Sequence, residues 1–232
     1  YFKIWFAIST FLLFSAAAAE VVRIDVYSRN DIAGSRAYGL AGPYERLVGR
    51  VYFEVDPQNS VNQVITDLEY APLNAVGRVE FSSDFYFIKP KDLDAGNGTV
   101  LVDAMNRGRK RVLHYFNFAS AQLEPESEVD MGDGFLLDQG FSLLYVGWQF
   151  DVPLQRGLMR AYPPVATEEG APIYGLVRSD FVVRESAHHH SLGDRGHIPY
   201  VVVDADDPRN VLTVRDAASG SRAVIDRNQW QF

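Results

Sequence analysis

The chain has 232 residues, 47% of them hydrophobic and 13% aromatic, enough to bury a core of ordinary size in one domain or one domain plus a fragment, so wholesale disorder is excluded. A formal charge of −8 and a pI near 5.1 exclude a phosphate-backbone partner, which needs a basic face. The absence of cysteine excludes disulfide staples, thiolate metal sites and a cysteine nucleophile.

In chain order, residues 1–19 come first: Lys3, an apolar run from Ile4 to Phe14, then Ser15-Ala16-Ala17-Ala18-Ala19 before Glu20. A basic start, a short apolar stretch and small residues at the end predict a secretory signal peptide, hence an exported chain, periplasmic or extracellular. The run is too short for a spanning helix, which takes about twenty apolar residues. Membrane contact is therefore expected only through the uncleaved signal segment. Tyr1 in place of Met, and an ending at Trp230-Gln231-Phe232 without a polar tail, read as a piece of a longer chain.

From residue 21, Val22, Ile24 and Val26 alternate with Arg23, Asp25 and Tyr27, the period of a half-buried strand. A Gly- and Ala-rich loop over 30–43 leads to Leu47, Gly49, Val51, Phe53 and Val55 alternating with Arg46, Arg50, Glu54 and Asp56, a second strand. The third runs over 79–88, with Val79, Phe81, Phe85 and Phe87 on one face and Lys89-Pro90 closing it. Three strands with one polar face predict an antiparallel region.

After the turn Asn97-Gly98, residues 99–105 are almost continuously apolar, which predicts a strand covered on both faces. Residues 112–131 read as helix or irregular chain. Asp133 can cap a helical turn over 135–139 that Gly140 ends, and 141–146 form a second doubly buried strand. Strand, helix and strand in that order predict a βαβ unit in a parallel sheet, so the fold class expected is α/β, with additional β-rich segments. Beyond Pro153 the strand candidates are 174–183, 200–203 and 211–214, the last paired through a turn at 217–220 with 223–225.

In an open parallel sheet, ligands bind at the carboxyl ends of the strands. Those ends are Asn106-Arg107-Gly108, whose backbone N–H groups could face a developing oxyanion, and Gly147-Trp148-Gln149, where Trp148 and Gln149 could wall a pocket. The plain alternative is turn glycines and a core tryptophan. The basic run from Arg107 to Arg111 reads as a solvated loop. His188-His189-His190 with His197 invites a metal, but three consecutive histidines cannot all face one ion from a strand, and no acid stands at a zinc spacing, so no metal site is expected. Asp204-Ala205-Asp206-Asp207-Pro208 lacks the glycine and distal Glu of a calcium loop and reads as a turn. Asn97-Gly98-Thr99 is a glycosylation sequon in form and a tight turn in composition. A nucleophile elbow, Gly-x-Ser-x-Gly, is absent, Ser219-Gly220-Ser221 being the nearest approach.

Gly42-Pro43-Tyr44-Glu45-Arg46-Leu47-Val48-Gly49, Glu54-Val55-Asp56-Pro57, Ala71-Pro72-Leu73-Asn74-Ala75, Asp103-Ala104-Met105-Asn106-Arg107-Gly108 and Gly140-Phe141 through Gly147-Trp148-Gln149 resemble, in the same order, a family of exported bacterial proteins described as alpha/beta hydrolase domain-containing. The resemblance covers most of residues 20–232. It implies an α/β-hydrolase-like mixed sheet, incomplete, with residues 20–232 as the N-terminal part. It also implies an oxyanion donor in the Asn106-Arg107-Gly108 loop, and a catalytic serine, acid and histidine beyond Phe232. The function expected is an N-terminal portion of an exported esterase-type serine hydrolase acting on a small ester-like substrate without a cofactor. This chain is expected to be inactive alone. The rival is a non-catalytic β-rich binding module for carbohydrate or another extracellular ligand, stacking it on Tyr162, Tyr174 and Trp230. An apolar sheet edge left unpaired predicts poor stability for the isolated fragment.

Overall fold

The computed structural model describes residues 19–185, 187–193 and 197–232, so the signal-peptide expectation lies outside the described residues but for Ala19. Two compact units divide the chain, Tyr1–Gly175 and Leu176–Phe232.

The first unit is a mixed β-sheet. Its strands are β1 (Glu20–Asp31), β2 (Ala37–Tyr38), β3 (Gly42–Val55), β4 (Val79–Pro90), β5 (Val100–Asp103), β6 (Ser142–Val146) and β7 (Ala161–Tyr162). Spatial order is β1-β3-β4-β6-β5, with β2 beside β3 and β7 beside β4. The three long strands form from the alternating sequence as expected. β3 and β4 are antiparallel in unbroken register from Tyr44↔Pro90 to Val55↔Val79, while β1 pairs with β3 through two irregularities, at Val21/Arg23 and Val26/Ser28. β4 pairs antiparallel with β6, and β6 parallel with β5, Val100 facing Ser142 and Asp103 facing Tyr145. The parallel pairing expected of 99–105 and 141–146 is therefore present.

The α/β expectation is not met. Among the described residues the α-helices are α1 (Val112–Phe116) and α2 (Phe135–Asp138), five and four residues long, and the rest of the β5–β6 crossover is short 3-10 turns and irregular chain. A mostly β unit with two single-turn helices is another class from an α/β-hydrolase-like sheet, whose strands need long helices along them. The local reasons are plain. Asn117, Asp133 and Gly134 take backbone hydrogen bonds away from helix, with Asp133 N–H to Asn117 O at 2.8 Å, and Gly132 and Gly134 adopt φ of +62° and +81°.

Cover of β5 is one-sided, whereas β3 and β4 are buried on both faces: Tyr44, Tyr86 and Ile88 lie on one, and Val51, Val55, Val79, Ser83 and Phe85 on the other, where Leu68 and Ala71 join Val55, Val79 and Phe81 in a second apolar cluster. Across the sheet, Asn30, Arg46, Ile88, Leu143 and Leu101 form one row, and Ser28, Val48, Tyr86, Tyr145 and Asp103 the next row on the same face. Ile88, Leu143, Tyr86 and Tyr145 join the core there with Met105, Val112, Leu113, Met131, Leu136, Leu137 and Met159 from the crossover and the segment after β6. The intervening row, Arg29, Leu47, Phe87, Leu144 and Val102, lies on the other face, where Val102 is 61% exposed and Val100 47%. So the expectation that β5 is covered on both sides fails: a run of apolar residues reads as doubly buried, yet only the parity facing the crossover finds partners.

The first unit also holds a two-residue ladder between β8 (Thr167–Glu168) and β9 (Ala171–Pro172). In the second unit the expected hairpin forms, β10 (Thr213–Val214) against β11 (Ala223–Val224). The strands expected at 174–183 and 200–203 do not: neither stretch takes part in a ladder.

Candidate functional site

The two loops at the carboxyl ends of β5 and β6 meet, and they bring together the residues expected there. The Arg107 backbone N–H donates to Gln149 Oε1 at 2.6 Å, and the Arg107 guanidinium reaches Asp151 Oδ2 at 3.0 Å. Trp148 Nε1 donates to the Met105 carbonyl. Each bond crosses from the β5 loop to the β6 loop, so the pair is clasped three times.

The sequence builds this clasp from close backbone approaches. Arg107 and Gly108 are both left-handed, at φ of +57° and +72°, which is strained for arginine. That turn lets Arg109 N–H return to Asn106 O at 3.3 Å and presents Gly108 O to Met159 N–H at 3.1 Å. A Cβ on Gly108 would lie 2.5 Å from Met159 O, and one on Gly147 2.5 Å from Arg160 N, so glycine is required at both positions by the 159–160 segment passing beside them. Asp103, last in β5, accepts from Arg111 N–H at 3.2 Å and holds the far side of the loop.

Asn106 is exposed, Arg107 and Gln149 are half-buried, Gly108 is buried, and Trp148 is 62% exposed. Trp148 is therefore a wall and not core, with its indole N–H spent on backbone. The Arg107 N–H expected to face an oxyanion is directed at Gln149 instead. The arrangement can present a rigid, polar, aromatic-walled rim, against which the Ser83 hydroxyl donates to Gly147 O.

Next to it stands an Asp84 centre that sequence reading missed. Asp84 accepts from Arg50 at 3.0 Å, from Arg160 N–H at 3.1 Å and from the Tyr162 hydroxyl at 3.1 Å, while Arg50 lies 3.8 Å over the Tyr162 ring. Burial, then the neighbouring Asp84 charge, push the Tyr162 phenol above its ordinary pKa. The signal available in sequence was an aspartate between Ser83 and Phe85 at an inward parity of β4, where charge is uncommon unless paired. Tyr162, expected as a stacking platform, thus has Arg50 and Arg160 over its ring. Tyr174 is 65% exposed, and Trp230 in the second unit carries Arg227 at 4.1 Å and Phe232 edge-on.

The histidine tract lies in the second unit. His188 and His189 are exposed, and His190 stacks on Phe181 at 4.2 Å with Nδ1 2.7 Å from Ser191 O. Among the described residues no three His, Asp or Glu side chains group as metal ligands. Asn97 uses both ends of its amide, donating to Gln139 O at 2.7 Å and accepting from Thr99 N–H at 2.8 Å, as the turn reading of that tripeptide requires.

No family model, no curated protein and no solved structure matches this chain.

Proposed function

We propose that this chain supplies the non-nucleophilic part of an exported acyl hydrolase, acting on a small ester-like substrate. The observation that carries the reading is the Arg107 N–H to Gln149 clasp, which fixes two loops together at the carboxyl ends of a parallel strand pair, the place where open parallel sheets bind ligands. The ordered run of motifs from Gly42 to Gln149 supports it further, because the motif segments 103–108 and 147–149 are the ones that meet.

In this reading Trp148 walls the acyl group and Asn106 offers an exposed amide to the substrate, while Gln149 and Asp151 set the loop geometry through Arg107. A serine outside these 232 residues attacks the carbonyl, assisted by a histidine base, since no serine here stands between glycines at elbow spacing.

The test is turnover of short p-nitrophenyl esters by the full product of the gene. Turnover by the parent, together with a raised KM for Trp148→Ala, is expected. No ester turnover by the parent, or a Trp148→Ala variant with unaltered KM and kcat, contradicts the reading.

A further inference from the structure

Behind the Gly108 turn lies a second polar feature, a cavity of about 210 Å3 whose lining includes Val48, Asp84, Tyr86, Lys110, Glu124 and Met159. Lys110 is 5% exposed. Its Nζ donates to Leu123 O at 2.7 Å and Gly157 O at 2.9 Å and stands 4.6 Å from the centre of the Tyr86 ring.

A buried lysine ordinarily faces a carboxylate, but among the described residues none lies within 4 Å of this one. The two nearby acids are already engaged. Glu124 pairs with Arg156 at 2.5 Å, and Asp84 with Arg50, Arg160 N–H and the Tyr162 hydroxyl. Arg46, on the strand beside Tyr86, adds positive charge to the surroundings. Lys110 is left with carbonyl dipoles and an aromatic face. Burial then dominates and pulls its pKa down to about 8, against the partial opposition of Glu124 and Asp84.

Two carbonyl acceptors also match the uncharged form. A neutral amine has two N–H groups and one lone pair; Leu123 O and Gly157 O take the two donors, and the lone pair is left over. We propose that Lys110 is a nucleophilic amine and that its cavity takes a small aldehyde or ketone of a few carbons, bound covalently as an imine. The Nζ lone pair adds to the carbonyl carbon as the C=O bond opens to a carbinolamine. The carbinolamine oxygen then leaves as water with the two amine hydrogens, and a C=N bond remains. No electron is gained or lost. Protonation of the imine restores one N–H, which keeps a bond to Leu123 O or Gly157 O.

The test is competitive reductive alkylation of the full chain by propanal with cyanoborohydride at pH 8, read residue by residue by peptide mapping. Lys91, which is solvated and paired with Asp31, is the internal reference. Lys110 is expected to be propylated on the order of tenfold faster than Lys91, because more of its amine is neutral at that pH. Its rate is expected to be half-maximal near pH 8, and the preference to vanish in denaturant. Equal or slower reaction at Lys110 in the folded chain overturns the proposal. A pyrene aldehyde, too large for the cavity, is expected to mark Lys91 and spare Lys110; equal marking of both would place the amine outside a cavity and likewise overturn it.

Discussion

Glu45 shows how single residues hold this sheet. It is 3% exposed on β3 and lies between Arg29, at 2.6 and 2.8 Å, and Lys89, at 2.6 Å on the adjacent strand. Burial raises its pKa, but the Arg29 and Lys89 hydrogen bonds outweigh it and hold the carboxyl below the ordinary range. Stability from this carboxylate is complete above the unfolded-state pKa and is lost as pH falls through the folded one. Glu45→Gln leaves the largely buried Lys89 uncompensated and is expected to cost about 3 kcal/mol in urea unfolding at pH 7. A loss below about 0.5 kcal/mol would mean that solvent screens the pair. Lys110 carries the opposite dependence. Its folded pKa is depressed to about 8 from 10.5, so between those values the unfolded chain binds the extra proton and stability rises with pH, by at most about 1.4 kcal/mol per unit. Above pH 10 the trend reverses, because burial holds the Tyr44, Tyr86 and Tyr145 phenols protonated in the folded state, Tyr86 up to about 12. Chemical denaturation of parent and Lys110→Met from pH 7 to 10 should show the rising limb in the parent alone.

At the scale of elements, the alternation in 42–55 and 79–90 made β3 and β4 legible, since a period of two has one structural meaning when both parities are long. The register that sets their faces was fixed by the same residues, Val51 to Ser83 and Phe53 to Phe81 among them. The parallel pair was legible too. What could not be read was its cover. Val100, Leu101 and Val102 carry the composition of a doubly buried strand, and only contact with the crossover distinguishes Leu101, which packs on the core, from its exposed neighbours. The helix that a crossover in an α/β sheet requires does not form, because 112–131 holds a single turn, Val112–Phe116, before irregular chain, and Asp133 and Gly140 bracket only one more, Phe135–Asp138. Of the candidate site, the five residues at the strand ends follow from the rule about carboxyl ends, whereas Asp84 carries only its inward parity on β4, and Arg160 and Tyr162 come from a segment distant in sequence and have no local signature. Gly108→Ala tests the loop. It sets a Cβ against Met159 O in a left-handed backbone and should cost at least about 2 kcal/mol, and it should disturb backbone amide shifts across 105–109 and 158–160. Wild-type stability in that variant would mean that the 159–160 segment does not lie beside the loop.

For the whole molecule, the consequence of short helices is a strand, β5, that ends the sheet and is buried on one face only, beside long strands β3 and β4 that are buried on both. Leu143→Ala on β6 removes a side chain with no exposure and should cost about 2–5 kcal/mol, while Val102→Thr on the adjacent strand should stay within about 0.5 kcal/mol. Comparable losses at both positions would show that the Val102 face of β5 is covered in solution. The function proposed above joins that scaffold to the clasp of Arg107, Trp148 and Gln149 as a braced substrate wall, and it requires a reacting serine from elsewhere in the gene product. The measurement that bears on this most directly is fluorophosphonate labelling of the full gene product with mapping of the modified peptide. The account predicts a single labelled serine flanked by glycines at elbow spacing and outside residues 1–232. No covalent label, or a label on a serine within those residues, would contradict it.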